Sequence, residues 1–194
     1  MSAGKAHVNL VLSQCGEALA GELFQKYGTP WVTGVPLGEK FSSALMEDLK
    51  AAARGEKVPS AFMPDLPEKS VTSEEKPFVL VGEPVFCASL REWLWREAGV
   101  SSVKILTPLE GGTGILQPGD LSPAEEDDFL EQFPQAACIV ADPLYRRALR
   151  GKEIPFVDLP HEGYSGRMYR AQIPVLAGEA FSRWMEDRLK TVLL

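Results

Sequence analysis

The sequence predicts an α/β protein of Rossmann-like parallel sheets flanked by helices, and three observations predict it. Short apolar, β-rich runs recur at Val8–Leu12, Phe78–Val81, Val103–Leu106 and Cys138–Val140, too brief for helices and bounded by turn residues. Helical spacing of apolar residues follows several of them, with Phe86, Leu90 and Leu94 stacked at intervals of four after the Phe78 run. The stretches beginning at Val8, Phe78 and Cys138 share one order of strand, small polar turn, helix, Gly and strand, without residue repetition. Strands alternating with helices, each strand a near-continuous apolar run, imply parallel sheets covered on both faces and right-handed crossovers.

Taken in order, Val8–Leu12 is the first strand, and a helix containing Leu19, Leu23 and Phe24 follows and stops at Gly28. Residues 30–35 are extended and end at Pro36 and Gly38, after which Phe41, Leu45 and Leu49 mark one face of a second helix. Residues 1–55 thus form a first β-α-β-α unit. Residues 56–77 hold Pro59, Pro64, Pro67 and Pro77 among charged and small residues, a linker composition, with Phe62 and Met63 an apolar pair suited to docking on a neighbour. Residues 78–194 form a Rossmann-like domain. Within it Ser122-Pro123-Ala124-Glu125 reads as a capping box with proline in the first turn, and the acidic residues through Asp128 suit a helix start. A short helix spans Leu144–Leu149, a last strand Ile154–Val157, and a closing helix 175–193 buries Leu176, Ala180, Phe181, Trp184 and Leu189.

The totals restrict function. A chain of 194 residues, 45% hydrophobic, can bury a sizeable core, and a net charge of -7 with a pI near 5.0 opposes long-range binding to nucleic acid or anionic membranes. No apolar run reaches the ~20 residues of a bilayer span, and Cys15, Cys87 and Cys138 fit neither a disulfide framework nor a CxxC site, so a reducing, cytoplasmic setting is expected. No GxxxxGK[ST] loop or GxSxG elbow occurs, and Gly82-Glu83-Pro84 lacks the dinucleotide spacing. Gly111-Gly112-Thr113-Gly114 reads as a plain flexible loop. The chain therefore carries too few reactive groups for difficult chemistry without a cofactor or partner.

Ligands of open parallel sheets bind beyond the carboxyl ends of the strands. That rule selects Ser13, Gln14, Cys15, Glu83, Thr107, Asp142, Asp158 and His161. Cys15 stands at a strand-to-helix turn, where N–H groups and the helix dipole favour a metal-ligating thiolate; the alternative is a small buried thiol. His161 precedes Gly163-Tyr164-Ser165-Gly166, too glycine-rich for regular structure, and imidazole is the commonest metal ligand; the alternative is an exposed turn histidine. Cys87 in a helix and Cys138 in a strand read as core.

Several segments together resemble component 1 of the nitrogenase family. They are Asn9-Leu10-Val11, Lys26-Tyr27-Gly28-Thr29-Pro30-Trp31, Pro36-Leu37-Gly38, the Phe78–Gly99 unit, and Ile154-Pro155-Phe156 with His161 and Gly163-Tyr164-Ser165-Gly166. The resemblance covers the later half of such a protein. It implies an oxidoreductase domain binding an iron–sulfur or related metal cluster, with Cys15 and His161 as ligands, both somewhat out of strict register, and Glu83 and Asp142 orienting the bound group. It also implies homo- or hetero-oligomeric assembly with nitrogenase-like subunits and an ATP-dependent reductase partner. The competing expectation is a non-catalytic scaffold or tetrapyrrole-binding module that lacks the family's first domain.

Overall fold

The computed structural model describes residues 5–56, 62, 76–110 and 114–193. Among these, six strands form two parallel sheets. The smaller sheet pairs β1 (Asn9–Val11) with β2 (Trp31–Thr33), joined through a single 3-10 turn at Gln14–Gly16 and helix α1 (Glu17–Tyr27). Helix α2 (Lys40–Ala53) follows. The larger sheet has the order β4-β3-β5-β6, with β3 (Phe78–Val81), β4 (Val103–Leu106), β5 (Cys138–Ala141) and β6 (Phe156–Asp158). Helices α3 (Pro84–Arg96), α4 (Glu126–Gln132), α5 (Glu162–Tyr169) and α6 (Gly178–Leu193) complete the chain.

The two central strands, β3 and β5, are buried along their whole length, the expected result for apolar runs sandwiched between helix layers. One core cluster joins Val32, Phe41 and Leu45 of the first unit to Leu80, Leu90, Trp93, Ile105 and Phe181. Trp93 is fully enclosed, meets Phe181 edge-on at 5.6 Å, and donates its Nε1–H to Ser182 Oγ at 2.7 Å, so its polar end is satisfied inside the core. Ser89 Oγ accepts from Val35 N at 2.9 Å and Glu97 accepts from Lys40 N at 3.0 Å, which fastens the chain between β2 and α2 to α3. Gly38 there holds φ +67° against Trp93 and Glu97, a place where only glycine fits. A second cluster on the other side of the sheet gathers Val79, Leu106, Phe129, Phe133 and Ile139.

Four local expectations change. The capping box moves three residues on. Glu125 and Asp128 cap α4, because Ala124 N donates to Thr107 O at 2.6 Å and Leu121 bridges to Leu106, drawing 121–124 alongside β4. The glycine-rich stretch after His161 is helix α5, held by the cap and by burial of Ser165 and Gly166. The helix expected at Leu144–Leu149 is a run of 3-10 turns over Pro143–Leu149. The closing helix starts at Gly178, and Ala180 faces solvent while Phe181, Met185 and Leu189 are buried. Phe62 is buried and stacks on Phe41 at 5.4 Å; the remainder of the expected linker, apart from Glu56, Lys76 and Pro77, and most of the Gly111–Gly114 loop lie outside the described residues. No described helix is long and apolar enough to cross a membrane.

Candidate functional site

The carboxyl ends of β3, β5 and β6 open on one crevice, lined by Gly82, Glu83, Phe86, Asp142, His161 and Tyr164 with an apolar remainder that includes Leu159 and Leu176. Parallel strands place every such loop at the same edge, so residues 60 positions apart in sequence converge there for topological reasons alone. The enclosed space is about 30 Å³. That is room for one or two waters and not for a cofactor, so a larger guest would lie across the mouth.

Glu83 caps α3. Its Oε2 accepts from Phe86 N at 2.8 Å, and its Oε1 reaches across to accept from Gln14 N at 2.7 Å, tying the turn that carries Cys15 to the crevice wall. Asp142 caps the next turn through Leu144 N at 3.0 Å. Its other oxygen accepts from His161 N at 2.9 Å and from Ser165 Oγ at 2.5 Å, so a single carboxylate binds the loops after β5 and β6 to α5. Both carboxylates are buried and spend their oxygens on the chain itself.

His161 is exposed and caps α5 with its ring, Nδ1 accepting from Gly163 N at 3.1 Å. An imidazole with an accepting Nδ1 carries its proton on Nε2 when neutral. Ligation of a metal through Nε2 would move that proton to Nδ1, where it would face the Gly163 N–H and break the cap, at a cost of about 1 kcal/mol. Tyr164 packs against the His161 ring with centroids 5.0 Å apart and against Tyr145 at 6.4 Å. Burial, with the Glu83 and Asp142 charges nearby, pushes the Tyr164 hydroxyl above its ordinary range; burial likewise raises Tyr145 to about 12, so both remain neutral donors.

Cys15 is exposed in its 3-10 turn and does not line the crevice. Cys87 and Cys138 are buried, and burial raises both thiols, Cys138 to about 12, which fits the expectation that they are inert core. Among the described residues no group of three or more His, Cys, Asp and Glu side chains could hold a metal ion. The four residues singled out in the sequence therefore do not make a metal site by themselves. Glu83 and Asp142 spend their oxygens as caps, His161 accepts at Nδ1 from Gly163 N, and Cys15 lies exposed outside the crevice lining.

Sequence reasoning missed Tyr164 and Leu176 as wall residues. The spacing of Tyr164, three after His161, carried the signal, since a side-chain cap at 161 puts both rings on the first turn of a helix.

No protein-family model matches the chain, and no curated protein does. Among solved structures it is similar to one described as nitrogenase Cp1 at pH 6.5, with a TM-score of 0.64 and 16% identity over 99% of this chain. The chain has a nitrogenase-like fold. It spans 46% of that structure's length, so less than half of nitrogenase Cp1 has a counterpart in this chain. At 16% identity the likeness is one of fold. Within the nitrogenase-like sheet, the crevice described above lies where helix starts and short loops meet.

Proposed function

We propose that this chain is a non-catalytic binding module of a nitrogenase-like assembly, holding a flat, largely apolar guest such as a tetrapyrrole against the mouth of the crevice. One observation carries the reading: the two carboxylates are spent as caps, while the rings of His161 and Tyr164 and the side chains of Phe86, Leu159 and Leu176 leave the crevice lining largely apolar. Such a wall favours stacking and apolar burial of a guest. The Nε2–H of His161 supplies one directional donor to the guest's polar edge.

A second reading keeps a metal cluster, with Cys15 and His161 as ligands beside others from a partner. The bond from Gln14 N to Glu83, which brings the Cys15 turn to the crevice wall, favours it.

One preparation separates the two. The chain is purified without oxygen, exposed to iron and sulfide, desalted and assayed for bound iron, and in parallel titrated with a metal-free porphyrin by fluorescence. The binding-module reading expects no retained iron and porphyrin binding that weakens about tenfold in Tyr164→Ala, the loss of one aromatic contact. Retained visible colour that vanishes in both Cys15→Ala and His161→Ala would replace it with the cluster reading. Absence of porphyrin binding refutes the tetrapyrrole guest.

A further inference from the structure

The first β-α-β unit leaves its apolar side chains outside. Among the described residues, six of the twelve exposed large hydrophobics fall between Leu10 and Trp31, so the exposed apolar surface is concentrated in this unit. Only Ala20 of α1 is buried. Leu10, Leu12, Leu19 and Leu23 line a groove of about 350 Å³ between β1 and α1, and the Nδ2 of Asn9 is enclosed beside it without a hydrogen-bond partner among the described residues. Among the described residues no strand pairs with the second edge of β1. Asn9 N donates to Pro30 O and Val11 O accepts from Gly34 N, both at 2.9 Å, so residues 9 and 11 turn toward β2. A parallel ladder then turns the N–H and C=O of Val8, Leu10 and Leu12 the other way.

We propose that this edge is the seam of a homodimer, in which β1 pairs antiparallel with β1 of a second copy about a twofold axis at Leu10. The pattern is self-complementary. In an antiparallel ladder two residues directly opposite exchange both of their bonds, and Leu10 offers the required donor and acceptor to the partner's Leu10. Val8 then faces the partner's Leu12, and Leu12 the partner's Val8, each with its outward groups, for about six new backbone bonds. All three side chains stand on one face and are apolar, so the cross-strand contacts match as well as the bonds.

The helices agree with this arrangement. A twofold axis normal to the sheet puts α1 and its copy on the same face, separated by about two strand spacings, roughly 10 Å, which is the distance of packed helices. Leu19 and Leu23 then meet their own counterparts across the axis. The two-stranded sheet, marginal alone, becomes four-stranded in the order β2-β1-β1-β2. This seam does not depend on what the crevice holds.

Sedimentation equilibrium of the whole chain tests the proposal. At about 50 μM, where a complex with Kd near 1 μM is mostly formed, the expected mass is twice the 21.3 kDa of the chain. Leu10→Pro removes the central outward N–H while sparing the ladder to β2, and Leu12→Lys puts a charge on an already exposed position; each is expected to weaken dimerisation at least about tenfold with unchanged circular dichroism. In a Cys15→Ser background, Leu10→Cys is expected to form an interchain disulfide on mild oxidation, because opposed residues in such a pair stand ~5.5 Å apart at Cα, and the exposed control Met46→Cys is not. A monomer at every concentration overturns the proposal. So does a dimer whose affinity ignores both Leu10→Pro and Leu12→Lys, which would put the contact elsewhere.

Discussion

Removing the Asp142 carboxylate is the sharpest test of how the crevice is built. Asp142→Ala deletes three hydrogen bonds from one buried side chain, to Leu144 N, His161 N and Ser165 Oγ. Each bond to a charged acceptor is worth about 1.5–3 kcal/mol in isolation, but the three are not equally lost. Leu144 and His161 are exposed, so water can replace the carboxylate at their amides, whereas Ser165 is 1% exposed and its hydroxyl would be left without a partner. The net loss is therefore set mainly by the orphaned Ser165 hydroxyl, with smaller losses at the two amides, about 3–4 kcal/mol in all. Asp142→Asn keeps one acceptor oxygen and should lose about 1–2 kcal/mol. Urea unfolding followed by circular dichroism reads this directly: with a slope of about 2 kcal/mol/M, the alanine variant's midpoint falls by roughly 1.5–2 M. Hydrogen exchange should quicken first in α5 and the loop after β6, the elements the carboxylate ties together. A midpoint shift below about 0.5 M for Asp142→Ala would refute the claim that this side chain fastens three elements.

Gly38→Ala forces a side chain into a left-handed conformation and against Trp93 and Glu97; a loss of at least about 2 kcal/mol in the same unfolding assay is expected, with the tryptophan emission altered. A thiol reagent at pH 8 should titrate one fast cysteine in the native chain and none in Cys15→Ala, since Cys87 and Cys138 are buried with raised thiols; three reactive thiols before unfolding would contradict the packing. Tyr145 holds its proton to about 12 when folded but releases it near its ordinary 10.0 when unfolded. Its contribution to stability is therefore complete below pH 10 and is lost as pH rises toward 12, so Tyr145→Phe should flatten the fall in urea midpoint across that window.

The sheet was legible because its signal is redundant. Phe78-Val79-Leu80-Val81 and Cys138-Ile139-Val140 are apolar at every position, and the structure buries every one of them. Edges of elements were less so. Pro123 suggested a helix start, but pairing of 121–124 with the end of β4 postponed it, a tertiary bond that no local pattern contains. Glycine content argued against helix at 163–166, yet the His161 cap and the burial of Ser165 against Asp142 outweigh an intrinsic penalty of roughly 1 kcal/mol per glycine. For the site, the topological rule correctly brought Glu83, Asp142 and His161 to one crevice. What it could not convey is the direction of each polar atom, since a carboxylate that caps a helix and one that greets a ligand are the same letter in a sequence.

Helix α3 lies between the two sheets rather than on the outside of either. Ten of its thirteen residues are buried, and it holds the turn after β1 through Glu83 at its N-cap, the β2–α2 connection through Ser89 and the adjoining Glu97, and α6 through Trp93. A protein with a keystone in that position has no scissor hinge, because separating the sheets would open the core on both flanks of the same rod at once. Local opening is therefore expected first at the periphery, in the short capped turn after β6, while the frame behind it stays still.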